Sequence, residues 1–411
     1  ETAVTVSFGD QVKTTTAGEK GSWKVTLEPL TAVKLASVND TPKGQPLIIV
    51  TKLDGTEATT KLNDLVAGDV WLCAGQSNMA GMMRTNTSRH HPADSIAKAD
   101  YPALRHLGPD GWLVCSPETA PEFKKVAFFF GRRLQEDALV PIGLIPAAVG
   151  GSRIETWLNQ APYETGKNYE NLIVPLVRYG LRGMLWYQGE SNIKDGREYA
   201  PKLQSLITGW RKAWGQGDFP AYFVQLPGCR KSDPGVPMEE GGWPETREAQ
   251  FQALATPNTG MAITIDIGDQ NVHPPNKFDT GERLARLALH HTYGLKTLVP
   301  SRPLYKEHEI KKGTIRVRFD HAKNGLMVAE KNGFLPPHAT PGKPLGWLAV
   351  QDKEGTWHKA EGRIEGSELV VSSKAVPEPV AARYAYVSLP TGPLLYNKDG
   401  LPAAPFSTNG Y

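Results

Sequence analysis

Residues 70–79 read Val-Trp-Leu-Cys-Ala-Gly-Gln-Ser-Asn-Met. The apolar run predicts a buried strand that ends at Gly75 and is followed by the hydroxyl of Ser77. Glycine permits the sharp backbone turn that residues with a side chain resist. The pattern therefore predicts a strand, a tight turn and a helix, which would hold one serine rigidly at the edge of a sheet. The alternative interpretation is that Ser77 only caps the helix that follows.

The rest of the chain divides into three regions by the style of its sequence. Residues 1–66 contain short strand-like runs separated by Gly, Asn, Asp and Pro, which predicts an N-terminal β-rich region. Residues 67–298 alternate apolar runs with segments of helical period, as parallel strands joined by crossover helices do. Residues 299–411 return to short strands broken by Gly and Pro, which predicts a C-terminal region like a β-sandwich. The predicted fold class is α/β with flanking β-rich regions.

The bulk composition argues against two classes of protein. The 411 residues carry 46 Lys and Arg against 43 Asp and Glu, which gives a formal net charge of +3. No basic run marks a nucleic-acid surface, so we expect no nucleic-acid partner. No apolar stretch approaches the roughly 20 residues that span a bilayer, so we expect no membrane segment.

The cysteines and histidines give no sign of a metal site. Neither a Cys-x-x-Cys nor a His-Glu-x-x-His spacing occurs, and we expect no metal and no organic cofactor. Cys73 is expected to be a small buried side chain, whereas a bridge between Cys115 and Cys229 stays open. The adjacent pairs His90-His91 and His290-His291 are expected at the surface, because neighbours in sequence point in different directions.

Three further segments place polar side chains directly after apolar runs. They are Gly150-Gly151-Ser152-Arg153 after the run 142–149, Gln188-Gly189-Glu190-Ser191-Asn192 after the run 183–187, and Gly268-Asp269-Gln270-Asn271-Val272-His273 after the run 262–267. In an open parallel sheet, the loops that follow the carboxyl ends of the strands share one edge. We therefore expect these loops to meet near Ser77.

The chemistry of a serine explains why the other groups would be needed. Ser77 is a weak nucleophile at neutral pH and requires a base to take its proton. His273 is suited to that task because the ordinary pKa of histidine lies close to neutral pH. A carboxylate that orients the imidazole is expected from Asp269, with Asp266 and Glu190 as alternatives. A pair without a carboxylate, in which a backbone carbonyl orients the imidazole, is the remaining possibility.

An acyl-transfer site also needs N–H donors for the oxyanion of the tetrahedral intermediate. The backbone N–H groups of Ser77 and Gly151 are the expected donors. A side-chain amide of Gln188 or Asn192 is expected to add a third.

The polar loops also contain candidate substrate-binding residues, namely Gln76, Arg153 and Glu190. The guanidinium of Arg153 could meet a substrate carboxylate, or it could form a salt bridge with Glu155 or Glu190. Glu190 could instead be a carboxylate that a helix N-terminus stabilises.

These motifs together resemble the SGNH-hydrolase superfamily, and more narrowly its sialate O-acetylesterase group and the related carbohydrate acetylesterases. The resemblance rests on the turn 75–79, the loop Gly150-Gly151-Ser152 with Glu155 and Trp157, the segment 188–192, and His273-Pro274 with Asn276-Lys277. It implies a flavodoxin-like, three-layer parallel α/β sheet. It also implies that Ser77 is the nucleophile, that His273 is the base, and that Gly151 belongs to the oxyanion hole.

The chain departs from the pattern of the superfamily at two positions. Many SGNH enzymes carry an Asp three residues before the histidine, where this chain has Gln270. The closer group often has an Asp two residues before the histidine, where this chain has Asn271. These departures leave the identity of the triad acid open.

The resemblance implies a serine esterase that removes O-acetyl groups from a carbohydrate, either acetylated sialic acid or an acetylated plant polysaccharide. The alternatives are a lipid or aryl esterase of the same superfamily, and an inactive carbohydrate-binding protein that kept the fold. The expected partner is an acetylated carbohydrate. The chain begins at Glu1, and removal of a signal peptide would explain that start, so we expect a secreted or periplasmic protein.

Overall fold

The computed structural model of the protein describes residues 2–85, 91–233, 236, 238–299 and 303–409. Its N-terminal part is a four-stranded antiparallel sheet in the order β2-β1-β3-β4. The strands are β1 (Ala3–Phe8), β2 (Gln11–Thr16), β3 (Gln45–Leu53) and β4 (Thr56–Leu65). Alternate residues of the first strand are buried, as a strand with one covered face requires.

The centre of the molecule is a seven-stranded sheet. Its strands are β5 (Asp69–Gly75), β6 (Tyr101–Gly108), β7 (Gly111–Cys115), β8 (Ile142–Ala148), β9 (Gly183–Tyr187), β10 (Ala221–Val224) and β11 (Thr259–Ala262). The order is β11-β10-β9-β5-β8-β6-β7, and every neighbouring pair is parallel except β6 and β7. The strand that precedes Ser77 therefore lies in the middle of the sheet.

Helices cover both faces of this sheet. They are α1 (Ser77–Ala80), α2 (Lys125–Ala138), α3 (Tyr199–Trp214), α4 (Gly242–Gln252) and α5 (Lys277–His291). Trp71 and Cys73 of β5 pack in the cluster with α2 and α5, whereas Leu72 and Ala74 pack in the cluster with α3. This alternation is what a strand buried on both faces requires, and it confirms the three-layer α/β fold.

Shorter helical segments connect these elements. They are Glu19–Gly21, Ala120–Glu122, Ile154–Trp157, Tyr169–Ile173, Val174–Leu176, Glu190–Asn192, Gly196–Glu198, Ala253–Ala255 and Ile265–Ile267. The segment 154–157 directly follows the predicted site loop 150–153, and the segment 190–192 lies within the predicted site loop 188–192. Among the helices described, none is both long enough and apolar enough to cross a membrane.

The C-terminal part consists of short antiparallel strands in three sheets, with the orders β12-β13-β19-β18, β15-β14-β21 and β17-β16-β20-β22. The strands are β12 (Leu304–Lys311), β13 (Thr314–Asp320), β14 (Leu326–Glu330), β15 (His338–Ala339), β16 (Leu348–Gln351), β17 (Trp357–Lys359), β18 (Glu361–Glu365), β19 (Glu368–Ser372), β20 (Ala381–Tyr384), β21 (Leu394–Asn397) and β22 (Phe406–Ser407). The boundaries of the three predicted regions, near residues 66 and 298, stay a prediction.

The cysteines are buried thiols. Cys73 is fully buried in β5, which confirms the prediction for that residue. Cys115 and Cys229 are also buried and free, so the bridge that the sequence left open is not formed.

The histidine pairs follow the sequence prediction only in part. His91 is buried, with ring nitrogens 3.1 Å from Pro92 O and 3.3 Å from Met83 O, so the expected surface position is wrong for this residue. His291 is exposed and His290 is half-buried, whereas His90 lies outside the described residues. A backbone carbonyl that accepts from the ring N–H lowers the cost of burying His91, and no local sequence pattern shows such a partner.

The turn after β5 is pinned between the two neighbouring strands. Gln76 N donates to Tyr187 O over 3.0 Å, and Val149 N donates to Gly75 O over 3.0 Å. Gly75 has a φ of +143°, and a Cβ at this position would lie 2.1 Å from Tyr187 O. The predicted requirement for glycine is confirmed, because any side chain here would overlap the backbone of β9.

We expect Gly75→Ala to lower the free energy of unfolding by about 2–5 kcal/mol, since the overlap with Tyr187 O adds to the backbone strain. Gly111→Ala is the matched control: Gly111 has a φ of +126°, and a Cβ there would meet no atom within 4 Å. Its free energy of unfolding should fall by only about 1–2 kcal/mol, because backbone strain is then the only cost. Urea unfolding followed by tryptophan fluorescence measures both, and equal losses would contradict the role given to the overlap.

Candidate active site

The side chains of Ser77 and His273 meet at the carboxyl edge of the central sheet. Ser77 Oγ lies 2.8 Å from His273 Nε2, although 196 positions separate the two residues in the chain. Ser77 is the first residue of α1 and not its N-cap, which is Gln76. The interpretation of Ser77 as a mere helix cap is therefore wrong, and its hydroxyl is directed at an imidazole.

His273 lies in the exposed loop between β11 and α5. Its backbone N–H donates to Asn271 Oδ1 over 2.9 Å, which shapes the loop. Partial burial, and then the positive charge of Lys277, lower the pKa of His273 below its usual 6.5. The neutral imidazole that accepts a proton from Ser77 is therefore the main form at neutral pH.

The structure does not bring Asp269 to the imidazole, contrary to the expected contact. Asp269 Oδ1 accepts from the backbone N–H of Gln270 over 2.6 Å. The backbone of Asp269 bridges to Cys229 and thereby extends the sheet edge. No hydrogen bond joins Asp269 to His273 in the described part of the chain, and the identity of a triad acid stays a prediction.

The two alternative acids also have other partners. Asp266 accepts from both terminal nitrogens of Arg283 over 2.6 and 2.7 Å, and from Tyr396 Oη over 3.0 Å. Glu190 Oε1 accepts a short hydrogen bond from Asn78 Nδ2. Burial raises the pKa of Glu190 despite that bond and the nearby positive charge of Lys277.

The loop that contains Gly150 and Gly151 lies beside Ser77. A Cβ on Gly150 would lie 3.8 Å from Ser77 Cβ, and Gly151 turns the chain with a φ of +72°. The N–H groups of Ser77 and Gly151 donate to no residue that the structure describes. The first N–H groups of a helix have no acceptor within the helix, so that of Ser77 is available to an oxyanion.

The amides of Gln188 and Asn192 are not placed as oxyanion donors. Gln188 Nε2 donates to Ser152 O over 3.1 Å and to Asn192 Oδ1 over 2.7 Å. Asn192 Nδ2 donates to Glu155 Oε2 over 3.0 Å and to Asp195 Oδ2 over 2.8 Å. Both side chains are fully buried, so the prediction of a third donor from this segment is corrected. They brace the loop that contains Gly151 instead.

Arg153 belongs to a cluster of four charged side chains. Its guanidinium lies 3.1 Å from Glu155 and 2.9 Å from Asp195. Lys202 lies 2.6 Å from each of the same carboxylates. Burial alone would raise the pKa of Glu155, but the hydrogen bonds from Arg153, Lys202 and Asn192 lower it to about 2. The salt bridge between Arg153 and Glu155, one of the two roles that the sequence left open, is therefore formed, whereas a role of Arg153 in binding substrate stays a prediction.

The residues before and after Ser77, Gln76 and Asn78, are both buried. Gln76 is almost fully buried, and its Oε1 accepts from Ser191 N over 3.3 Å. Behind it, Asn78 Oδ1 accepts from Lys277 Nζ over 2.6 Å. The sequence interpretation gave no role to Asn78 or Lys277. Their positions, directly after the serine and four residues after the histidine, were the signal that could have marked them.

The described residues offer no cluster of three or more His, Cys, Asp or Glu side chains that could hold a metal ion. The arrangement of nucleophile, base and N–H donors is instead suited to acyl transfer.

Comparison with known proteins identifies related esterases. The family model described as SASA, carbohydrate esterase, sialic acid-specific acetylesterase, matches residues 67–290. The sialate O-acetylesterases of Pongo abelii and Homo sapiens are each 28% identical over 98% of this chain and 88% of the relative. The crystal structure of a novel carbohydrate acetylesterase from Xanthomonas citri is 30% identical, with a TM-score of 0.83 over 100% of this chain and 93% of that chain. The resemblance seen in the sequence motifs is confirmed.

Proposed function

The chain belongs to the sialic acid-specific acetylesterase family of carbohydrate esterases, and we propose that it is a serine esterase that removes O-acetyl groups from a carbohydrate through an acetyl-enzyme. That it is a carbohydrate acetylesterase follows from its family. The serine mechanism is supported chiefly by one observation, the 2.8 Å separation of Ser77 Oγ and His273 Nε2. A nucleophile within hydrogen-bond distance of its base is the arrangement that acyl transfer requires.

In the first half of the reaction, Ser77 Oγ attacks the carbonyl carbon of the acetyl group while His273 Nε2 takes the hydroxyl proton. The developing oxyanion is bound by the N–H groups of Ser77 and Gly151. When the intermediate collapses, the bond between the carbonyl carbon and the sugar oxygen breaks. His273 gives its proton to that oxygen, so the deacetylated sugar leaves and acetyl-Ser77 remains.

In the second half, water replaces the sugar. His273 takes a proton from the water, whose oxygen attacks the acetyl carbon of acetyl-Ser77. The second tetrahedral intermediate uses the same two N–H donors. Its collapse returns the proton to Ser77 Oγ and releases acetate, which restores the starting enzyme.

We propose a neutral acetylated polysaccharide as the better substrate, and acetylated sialic acid as the second candidate. A sialate carboxylate needs a cation, and the expected one, Arg153, is held by Glu155 and Asp195. The family description and the sialate O-acetylesterase relatives keep sialic acid as the second candidate. A location outside the cytoplasm stays a prediction.

We expect Ser77→Ala to abolish acetate release while the fold is retained, because the variant has no nucleophile. Loss of the whole catalytic pair lowers kcat by many orders of magnitude in serine hydrolases, on the order of 10⁶. Acetate release from acetylated xylo-oligosaccharides is the measurement, with circular dichroism to check the fold. Ser205→Ala on α3 is the matched control and should keep full activity. Turnover by purified Ser77→Ala would exclude Ser77 as the nucleophile.

We expect kcat/KM to fall as the pH is lowered through a midpoint below 6.5. His273 must be neutral to accept the proton of Ser77, and burial followed by the charge of Lys277 lowers its pKa. Because its pKa is lowered, His273 stays neutral at more acidic pH, and the acid limb of the pH profile therefore shifts to lower pH. Initial rates with 4-nitrophenyl acetate between about pH 4 and pH 8 measure this limb. A midpoint above 6.5 would contradict the assignment.

We expect Arg153→Ala to weaken the use of both substrate classes by the same modest factor. Its guanidinium is about half exposed and paired with carboxylates of the protein, and loss of such a pair changes equilibria by about 2- to 5-fold. KM values for an acetylated xylo-oligosaccharide and for 9-O-acetylated sialic acid provide the comparison. A loss confined to the sialic acid would show that Arg153 meets the substrate carboxylate after all.

A further inference from the structure

The backbone carbonyls on both sides of His273 are held by side chains from elsewhere in the fold. Asn78 Nδ2 donates to Val272 O over 3.1 Å. Lys277 Nζ donates to Pro274 O over 2.6 Å. The histidine lies in a loop without regular secondary structure, so these bonds supply constraints that a helix or strand would otherwise provide.

The same two side chains contact each other directly behind the serine. Lys277 Nζ donates to Asn78 Oδ1 over 2.6 Å, and both side chains are almost completely buried. Asn78 follows Ser77 in the chain, whereas Lys277 begins α5. The turn that carries the nucleophile and the loop that carries the base are therefore joined through one pair of side chains.

A buried carboxylate balances the buried ammonium. Glu190 Oε1 accepts from Asn78 Nδ2, and the other carboxylate oxygen has no hydrogen-bond partner in the described part of the chain. Burial lowers the pKa of Lys277 to about 7, Glu190 opposes this change and Lys125 adds to it. The ring of Tyr187 also lies 5.9 Å from Lys277 Nζ. Burying such charges is costly, and isolated charges would cost more.

We propose that Asn78 and Lys277 form a clamp that positions His273 against Ser77, with Glu190 as its counter-charge. Both are positioning residues, since neither touches the reacting atoms. The inference rests on the proposed function, in which His273 is the base. Displacement of a catalytic group by about 1 Å can lower a rate by about 100-fold, so a clamp on both flanks of the histidine would affect the chemical step.

The test uses Asn78→Ala and Lys277→Met in the full chain. The readouts are kcat and KM for 4-nitrophenyl acetate and the rate at which a serine-directed organophosphonate labels Ser77, each as a function of pH. We expect kcat and the labelling rate to fall by about 10- to 100-fold with KM changed less than about 2-fold. In Lys277→Met the acid limb should also move to higher pH, because removal of the cation raises the pKa of His273.

A double variant, Asn78→Ala/Lys277→Met, tests whether the two side chains act as one clamp. The fold-decrease in kcat and in the labelling rate should be smaller in the double variant than the product of the two single fold-decreases. The reason is that the second substitution removes bonds that the first has already weakened. Losses that multiply would show two independent effects and would overturn the clamp.

Two further variants separate positioning from stability. Lys13→Met removes a lysine that pairs with Glu28 in the N-terminal part of the chain, outside both networks around Ser77, and it should leave the labelling rate unchanged. If Lys277→Met does not fold, Lys277→Met/Glu190→Gln removes the unpaired buried charge and is compared with Glu190→Gln alone. We still expect about 10-fold slower labelling in the double variant. Equal rates would show that Lys277 only neutralises Glu190, which would overturn the clamp.

The two proposals fail in different ways. If Ser77→Ala is inactive but Asn78→Ala and Lys277→Met label at the wild-type rate, only the clamp is wrong. If Ser77→Ala still releases acetate, the proposed function is wrong, and the labelling rates still decide whether the clamp positions His273 against Ser77.

Discussion

The contact between Ser77 Oγ and His273 Nε2 is the interaction on which the rest of the site depends, and it is set by the central sheet. Because β5 lies among six parallel strands, between β9 and β8, its carboxyl end shares an edge with the carboxyl ends of those two neighbours. Gln76 N and Gly75 O are each bonded to one of these neighbours, which fixes where α1 begins. The position of Ser77 is then fixed by the sheet, so the contact depends on where the loop that carries His273 is placed.

Buried polar groups supply the remaining order around this contact, and they do so in two separate networks. On one side, Gln188 and Asn192 are hydrogen-bonded to the Gly151 loop and to the Arg153 cluster. On the other side, Asn78 links the serine turn to Glu190. Buried polar networks are costly unless their members are paired, so their presence on both sides of one hydroxyl favours a role in positioning over one in overall stability.

The sequence predicted those features that depend on local pattern or on a general rule of topology. The turn at Gly75 could be predicted because only glycine tolerates the required close approach, and the meeting of Ser77 with His273 followed from the shared edge of parallel strands. The role of Asn192 could not be predicted, because an amide in a loop is equally able to donate to substrate or to protein. Its partners Glu155 and Asp195 become neighbours only in the folded chain. Which carboxylate orients the imidazole could not be predicted either, since nearness in sequence to His273 does not decide where a carboxylate points.

The C-terminal part of the chain also constrains the segments on either side of the histidine loop. Arg247 is fully buried and donates to the carbonyls of Leu226 and Pro227 after β10, and to those of Val387 and Ser388 in the C-terminal part. Two more bonds cross the same boundary on either side of His273: Tyr396 to Asp266, and Asn276 to Gly333 O. Since these contacts flank the histidine loop, the C-terminal strands form part of the support for the imidazole.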